Sequence, residues 1–469
     1  MVQSRMPDSR LPSGRGPLER AGEVLAWLIA FTTVFVAVWR VLLWQILNPL
    51  LDAAVARVGI LLGRPGLEIR FDFTAITLAM SAALLIVIVG YLALRDGTVR
   101  RKEFWLLVAP LVIYLAVAGL SFYWSVMPGT TAKRFWYLAA VTLGGIFIGL
   151  RFRQEKILLL WELTAIVLVL GSFALILRYP EWAVDTEYDP AGAWRGLLKY
   201  KGYAGTYMAF AATVFLLRLF QWRRIPRWRQ IASLVLASLC VLMAYKAMSA
   251  TGQIALASAL GTLGLGGAWL QWGHRIPPRT RRALVIVAAC LVPIMLAASP
   301  VLFRLVGRDT SLTGRLPLWQ TILGVVRERP ALGWGFGEAF WLSEDVGRVW
   351  EIITWKPGTA HSGLVEVLLD TGVVGAVAVS WYLATTLTLA LVNVHRERSA
   401  EALLFLAWMP LVLMANVGET LLGSYELLFW LVLAIVFSHS ARSAIERRGR
   451  PGSVPLQQAA PGVQSIRVG

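Results

Sequence analysis

Charged side chains and cysteines are both scarce in this chain. Only 15% of its 469 residues are Asp, Glu, Lys or Arg, whereas 57% are hydrophobic, and this balance excludes an ordinary soluble domain of that length. The two cysteines, Cys240 and Cys290, each lie inside an apolar run. We therefore interpret both as small core residues, which excludes a disulfide framework and a cysteine metal centre.

Motifs for metal-, nucleotide- and serine-dependent chemistry are also missing. The sequence has no Asp-x-Asp pair, no His-Glu-x-x-His helix and no cluster of ligands at metal-binding spacing. It lacks a Gly-x-Ser-x-Gly nucleophile elbow and a phosphate-binding Gly-x-x-x-x-Gly-Lys-Ser/Thr loop, which argues against a serine hydrolase and an ATP-driven pump. We expect no metal and no cofactor.

Long apolar segments dominate what remains. Runs of roughly 18 to 25 residues are long enough to cross a bilayer, and they recur at 22–46, 72–94, 104–124, 134–150, 157–177, 203–220, 230–248, 251–271, 283–305, 362–393, 402–417 and 420–440. Continuous runs rather than short alternating segments exclude an outer-membrane barrel. The sequence thus predicts an all-α, polytopic inner-membrane protein with about twelve transmembrane helices and a large periplasmic loop region.

The net charge of +18 follows from topology rather than from nucleic-acid binding. With a cytoplasmic N-terminus, 26 of the 45 lysines and arginines fall in inner loops or terminal segments, as the positive-inside rule requires. Both termini are then cytoplasmic, and we expect no nucleic-acid partner. The predicted organisation is a cytoplasmic segment over 1–21, nine helices over 22–305, a periplasmic loop domain over 306–360, three helices over 361–440 and a disordered cytoplasmic tail over 441–469.

Basic residues on the predicted outer side are not explained by membrane insertion. The candidates for a site there are Arg195, Lys199, Lys201, Lys246 and Arg315. Each either pairs with a carboxylate or lipid headgroup, or binds an anionic ligand. Arg195 and Arg315 stand beside glycines and near aromatic residues, where a guanidinium can grip phosphate in bidentate fashion.

His361 is the single histidine on that predicted outer side, because His274, His395 and His439 fall on the cytoplasmic side. Its imidazole either caps or packs against the following helix, or acts as a general base near neutral pH. The loop between 306 and 360 is long enough to predict a functional role. Its aromatic residues either line sugar or lipid-tail surfaces or form an interfacial belt, and they are Trp334, Phe336, Trp341, Trp350 and Trp355.

Three spaced motifs resemble the O-antigen ligase and O-antigen polymerase superfamily. They are Thr313-Gly-Arg-Leu-Pro-Leu-Trp319, Pro330-Ala-Leu-Gly-Trp-Gly-Phe-Gly337, and the segment that runs from His361-Ser-Gly-Leu-Val-Glu366 to Gly375. The segment from Arg195 to Gly205 is similar to the outer-loop arginine segment of that superfamily, although Tyr200-Lys201-Gly202 keeps only the lysine of a common His-Lys-Asn triplet. Ser249-Ala-Thr-Gly252 lacks an arginine found in relatives, and Lys246 is the candidate replacement.

The resemblance implies a glycosyltransferase at the periplasmic face of the inner membrane. Its donor would be an undecaprenyl-pyrophosphate-linked O-antigen and its acceptor a sugar of lipid A–core, with membrane lipids around it and neither metal nor cofactor. Arg315 and His361 would be catalytic, and Arg195, Lys199, Lys201, Arg315 and Lys246 would bind the pyrophosphate. A polymerase or another glycan transferase of the superfamily is the alternative, and a transporter of a lipid-linked anion is a third.

Overall fold

A computed structural model describes residues 17–39, 73–186, 192–220, 225–272, 277, 279–280, 314–422 and 427–448. The fold is all-α, as predicted, and the chain is a polytopic membrane protein. The helices are α1 (Pro17–Val34, continued by a π turn at Phe35–Trp39), α2 (Phe73–Arg95), α3 (Lys102–Leu120), α4 (Pro128–Arg151), α5 (Gln154–Arg178), α6 (Pro180–Ala183), α7 (Lys201–Phe220), α8 (Arg227–Lys246), α9 (Ala250–Trp272), α10 (Arg315–Val326), α11 (Gly347–Ile352), α12 (Gly363–Glu397), α13 (Ala400–Gly418) and α14 (Leu428–Arg448).

The remaining regular structure is small. Val184–Asp185 (β1) and Ala193–Trp194 (β2) form an antiparallel pair between α6 and α7. Short 3-10 turns lie at Ser121–Tyr123, Phe340–Leu342 and Glu344–Val346.

Eight helices in the described part of the chain are long and apolar enough to cross a membrane. They are Ala21–Val38, Lys102–Tyr123, Gln154–Arg178, Arg227–Lys246, Ala250–Gln271, Gly363–Glu397, Ala400–Gly418 and Leu428–Arg447. Helices α2, α4 and α7 overlap three further predicted runs. The predicted run at 283–305 lies outside the described residues, as do the N-terminal 16 residues and the tail from 449 onward.

The last predicted span begins later than expected. The sequence predicts a helix over 420–440, whereas α14 starts at Leu428. Helix α13 ends at Gly418, and the next residue, Glu419, has extended backbone angles. This end of α13 therefore places the Glu419 carboxylate outside the helical spans.

Small residues let the central helices approach closely, which is how membrane helices pack when lipid gives them no hydrophobic driving force. Gly145 of α4 faces Ala434 of α14, and a Cβ added to Gly145 would lie 2.5 Å from the Ala434 side chain. Gly205 of α7 and Gly252 of α9 meet backbone to backbone, with 2.5 Å between an added Gly252 Cβ and the Gly205 carbonyl carbon. The Gly252 end of the Ser249–Gly252 motif is thus a helix contact.

Residues 314–360 form a small helical unit with its own apolar cluster. Leu318 and Ile322 of α10, Phe340 and Val349 are completely buried within it. Leu369 of α12 belongs to the same cluster. We refer to residues 314–360 as the loop unit, and its core is therefore shared with a membrane helix.

Helix α12 is broken inside its membrane-spanning length. Gly372 has φ 63° and ψ −165°, a backbone conformation that is essentially confined to glycine. In an uninterrupted helix the amides of Val373 and Val374 would donate to the carbonyls of Leu369 and Asp370. Four backbone groups therefore need other partners, and the two carbonyls belong to completely buried residues.

The loop unit supplies those partners through its Pro330–Gly337 motif. Two amides of α12 donate to loop carbonyls: Val373 N–H to Pro330 at 2.8 Å and Val374 N–H to Ala331 at 3.2 Å. Two carbonyls of α12 accept from loop amides: Leu369 from Trp334 and Asp370 from Gly335, at 2.9 Å each. All four groups are satisfied by exchange with one loop. Irregular backbone at a helix break is tolerated in membranes when it is covered by protein in this way.

Candidate active site

One end of the helix bundle brings together residues from four separate elements. Arg315 is the first residue of α10, His361 lies two residues before α12, Glu419 follows α13 and Lys201 begins α7. Gly314, which precedes Arg315, has φ 84°, a left-handed conformation that glycine adopts readily, and α10 starts at the next residue. Three of the predicted site residues therefore meet, and the fourth member is the Glu419 carboxylate.

Glu419 is the centre of this cluster. Its Oε1 lies 3.5 Å from Arg315 Nη2, and its Oε2 lies 4.0 Å from His361 Nδ1. Lys201 also acts on it electrostatically. The side chains of Arg315 and Glu419 are only 16% and 13% exposed, so their charges interact with little solvent screening.

Glycines bring the helices close enough for these side chains to meet. An added Cβ on Gly202 would lie 2.1 Å from Glu419 Oε1, so the carboxylate occupies the space that a side chain there would take. An added Cβ on Gly418 would likewise collide with the Thr251 side chain and contact that of Arg315, and one on Gly363 would collide with the Asn416 side chain. Asn416 Oδ1 in turn accepts from the amides of Leu421 (3.1 Å) and Leu422 (2.7 Å) and holds the turn after Glu419.

His361 has an unusual backbone and a constrained ring. Its φ is +48°, in the left-handed region that non-glycine residues rarely occupy. The imidazole centroid lies 5.2 Å from the Trp355 ring. Burial, and secondarily the positive charge of Arg315, lower the pKa of His361 to about 4. The imidazole is therefore neutral at neutral pH.

The environment of Glu419 acts in two opposing directions. Burial raises the pKa of the Glu419 carboxyl, while Arg315 and Lys201 partly offset that increase. The cluster as a whole carries two fixed positive groups around one carboxyl and one neutral imidazole. It can bind an anion at the cations and accept a proton at the imidazole.

The other three predicted anion-binding residues have different neighbours. Arg195 Nε donates to the Trp182 carbonyl at 2.9 Å, Lys199 Nζ lies 4.7 Å from the Tyr200 ring and Lys246 Nζ lies 5.9 Å from the Trp194 ring. In the described part of the chain these contacts belong to the turn and hairpin before α7. The structure thus does not bring these three side chains to Glu419, and their role in binding pyrophosphate stays a prediction.

Most of the loop aromatics, which were expected either to line sugar or lipid-tail surfaces or to form an interfacial belt, are core residues. Trp334, Phe336 and Trp341 are 4%, 1% and 4% exposed, which leaves almost no surface for a ligand. Trp334 Nε1 donates to the Val325 carbonyl at 3.2 Å. Trp350 is partly buried and Trp355 is 47% exposed, so Trp355, beside His361, is the one with the largest free face among these five.

Two buried carboxylates in α12, Glu366 and Asp370, were not singled out from the sequence. Asp370 Oδ2 accepts from the amides of Gly337 (2.7 Å) and Glu338 (3.1 Å). Arg134 of α4 binds Glu338 Oε2 at 2.6 Å and the Gly337 carbonyl at 2.5 Å. These contacts fix the end of the Pro330–Gly337 motif. The sequence does show two carboxylates inside the predicted span 362–393, and ionisable residues inside a span are usually buried and functional.

Ion pairs between helix ends lie at the opposite end of the bundle. Lys156 pairs with Glu23 at 2.8 Å and Arg447 with Glu397 at 2.6 Å. Each of these side chains is near an end of its helix far from Glu419. The candidate site lies at the other end, and that this end faces outward stays a prediction.

Comparison with known proteins agrees with the three motifs. Residues 201–380 match the family model described as O-antigen ligase. The chain is also similar to the exopolysaccharide production protein ExoQ of Rhizobium meliloti (strain 1021), with 26% identity over 282 residues, which is 57% of this chain and 62% of that relative. The matched segment begins at Lys201 and includes Arg315, His361 and the whole loop unit. The resemblance to the O-antigen ligase superfamily that the motifs indicated is confirmed.

Proposed function

We propose that this protein transfers a glycan from a polyprenyl-pyrophosphate carrier to a sugar hydroxyl, with lipid A–core as the acceptor, at the outer face of the inner membrane. The observation that carries the proposal is the convergence of Arg315, His361 and Lys201 on Glu419. A cationic pair next to a neutral imidazole suits a reaction that releases pyrophosphate and removes a proton.

The leaving group explains the need for the two cations. The acceptor oxygen attacks the anomeric carbon, the bond from that carbon to the pyrophosphate oxygen breaks, and the electron pair departs with the carrier pyrophosphate. Arg315 and Lys201 stabilise the charge that develops on it, and donors preorganised in this way contribute about 3 to 4 kcal/mol each in other enzymes. Arg315 can bind two phosphate oxygens at once, which an ammonium cannot.

The imidazole takes the proton of the acceptor hydroxyl. His361 is neutral at physiological pH, so it needs no prior deprotonation, and general-base help of this kind is worth about 10²- to 10⁴-fold in rate. Glu419 lies 4.0 Å from Nδ1 and can stabilise the imidazolium that forms. A single direct displacement inverts the anomeric configuration, and a product that retains the donor configuration would contradict this mechanism.

A polymerase is the second candidate. The relative from Rhizobium meliloti is named for exopolysaccharide production rather than for lipopolysaccharide. In that case the acceptor hydroxyl belongs to a second carrier-linked glycan, and the roles of Arg315 and His361 are unchanged. The two functions differ in the acceptor alone.

The test uses purified protein in lipid nanodiscs with an undecaprenyl-pyrophosphate-linked glycan, with or without lipid A–core. New glycan on lipid A–core supports the ligase, while longer carrier-linked chains without it support the polymerase. His361→Asn is the informative variant, because asparagine tolerates the left-handed backbone but cannot act as the base. It should abolish either activity, whereas His395→Asn at the far end of α12 should not. Substantial turnover by His361→Asn would refute the proposed base.

The arginine is tested in the same assay. Arg315→Lys keeps the charge but loses the bidentate geometry, so we expect it to recover little activity. Arg348→Lys is its matched control, because Arg348 lies on the loop unit and pairs with Glu328 at 2.7 Å. Full activity in Arg315→Lys would mean that charge alone suffices.

A further inference from the structure

The backbone at His361 has to be held in place by its surroundings. A φ of +48° is sparsely populated for a histidine and persists where neighbouring groups determine it. The His361 amide donates to Thr359 Oγ1 at 3.3 Å, which is a long contact. Stronger restraints act on the residue before it.

Two side chains hold Ala360, which is completely buried. Glu366 Oε2 accepts from the Ala360 amide at 2.6 Å, and Trp319 Nε1 donates to the Ala360 carbonyl at 2.9 Å. That carbonyl belongs to the peptide group that leads into His361. Its orientation therefore sets the plane from which the φ angle of His361 is measured.

The two restraining side chains are themselves fixed to the helices that carry the site. Glu366 lies in the first turn of α12, and its Oε1 accepts from Trp341 Nε1 at 2.7 Å, so both of its oxygens are engaged. Trp319 lies on α10 one turn after Arg315. The Trp319 indole thus links α10, which begins at Arg315, to the carbonyl of Ala360. The Glu366 carboxylate links the amide of Ala360 to α12.

We propose that Glu366 and Trp319 are positioning residues, which hold the peptide groups of Ala360 so that the His361 imidazole faces Glu419 and Arg315. This inference rests on the proposed role of His361 as the base. Glu366 is completely buried, and the Trp319 indole N–H is bonded to the Ala360 carbonyl. Both act through the left-handed backbone at His361, and a displacement of about 1 Å there is enough to lower a rate about 100-fold.

Trp319→Phe is the sharpest test, because it removes the indole N–H and retains an aromatic ring. Trp334→Phe is the matched control: it removes the same kind of indole-to-carbonyl bond in the loop unit, at Val325 instead of Ala360. Glu366→Gln is the second variant. A glutamine side chain has one acceptor oxygen for two N–H donors, Ala360 and Trp341, so one of the two bonds is lost.

Each variant in nanodiscs is measured for kcat, for donor KM and for the imidazole resonances of ¹³C-labelled histidine, with His361 assigned through His361→Asn. The protein has four histidines, which keeps the spectrum simple. We expect kcat to fall about 10- to 100-fold in Trp319→Phe and Glu366→Gln with donor KM unchanged, and the His361 resonance to move. Trp334→Phe should change neither.

Two outcomes separate this inference from the proposed function. An unchanged kcat and an unchanged His361 resonance in Trp319→Phe would overturn the positioning role, even if His361→Asn is inactive. Full activity in His361→Asn would overturn the base itself, and it would do so whether or not the resonance moves in Trp319→Phe.

Discussion

The exchange of hydrogen bonds between the loop unit and the break in α12 can be tested at Gly372. We predict that Gly372→Ala destabilises the folded protein strongly. Its φ of 63° and ψ of −165° are strained for alanine, and an added Cβ would lie 2.3 Å from the carbonyl carbon and oxygen of Ala331. These are backbone atoms of the same segment that satisfies α12, so relief requires the loop to move away.

The cost has two parts. A non-glycine residue held in this region of backbone space costs about 1 to 3 kcal/mol. Moving the loop also breaks at least one of the four exchanged bonds, and each buried group left without a partner costs about 1 to 3 kcal/mol. Together they predict a loss of about 2 to 6 kcal/mol in the free energy of unfolding.

Gly324→Ala is the matched control. Gly324 lies inside α10, where nothing is within 4 Å of an added Cβ. Alanine is there favoured over glycine by about 0.5 to 1 kcal/mol, so this variant should gain stability. The measurement is the thermal midpoint of purified protein in detergent, followed by tryptophan fluorescence, together with protease sensitivity of the loop unit. Equal midpoints for wild type and Gly372→Ala, with the control behaving as stated, would refute the strained break.

Three further predictions concern the cluster around Glu419. In a ¹³C NMR titration the His361 imidazole should protonate well below the usual pH of about 6.5, because its pKa is lowered to about 4, and Arg315→Met should raise that pKa; a normal titration would contradict the burial argument. The unfolded chain binds a proton at His361 at higher pH than the folded protein does. The stability that the neutral imidazole contributes is therefore complete above a pH of about 6.5 and is lost as pH falls towards 4. In acid unfolding, the free energy of unfolding of His361→Asn should depend less steeply on pH than that of the wild type. Glu419→Gln should lower kcat about 10-fold or more without raising donor KM, because it removes a negative charge from an anion site and the counter-ion of the imidazolium; a raised KM alone would count against this role.

The membrane helices could be predicted from the sequence because span length is set by the bilayer. The long helices of the described chain overlap the predicted apolar runs. The start of α14 was misplaced because residues after Glu419 remain apolar, and apolar character alone does not reveal where a helix ends. The alternating glycines at 333, 335 and 337 all have positive φ, which was not predicted from the sequence.

The site was predicted in part. Arg315, Lys201 and His361 were selected as cations and an imidazole on one side of the membrane, and they do meet at Glu419. Lys246 was selected by the same argument and lies against an aromatic ring instead. The predicted side of the membrane restricts the candidate site residues, but only the packing of α7, α10 and α13 decides which of those residues lie next to Glu419.

The site lies at a junction between two parts of the fold. Arg315 and His361 belong to the loop unit and the entry of α12, whereas Lys201 begins α7 and Glu419 directly follows α13. A loop that merely rested on the membrane surface could shift against those helices, and the Arg315–Glu419 distance of 3.5 Å would not be maintained. Backbone bonds into the break of α12 prevent that shift, because they tie the loop to the same helix whose first turn restrains His361. The broken helix therefore does for this site what a rigid scaffold does for a catalytic loop in a soluble enzyme.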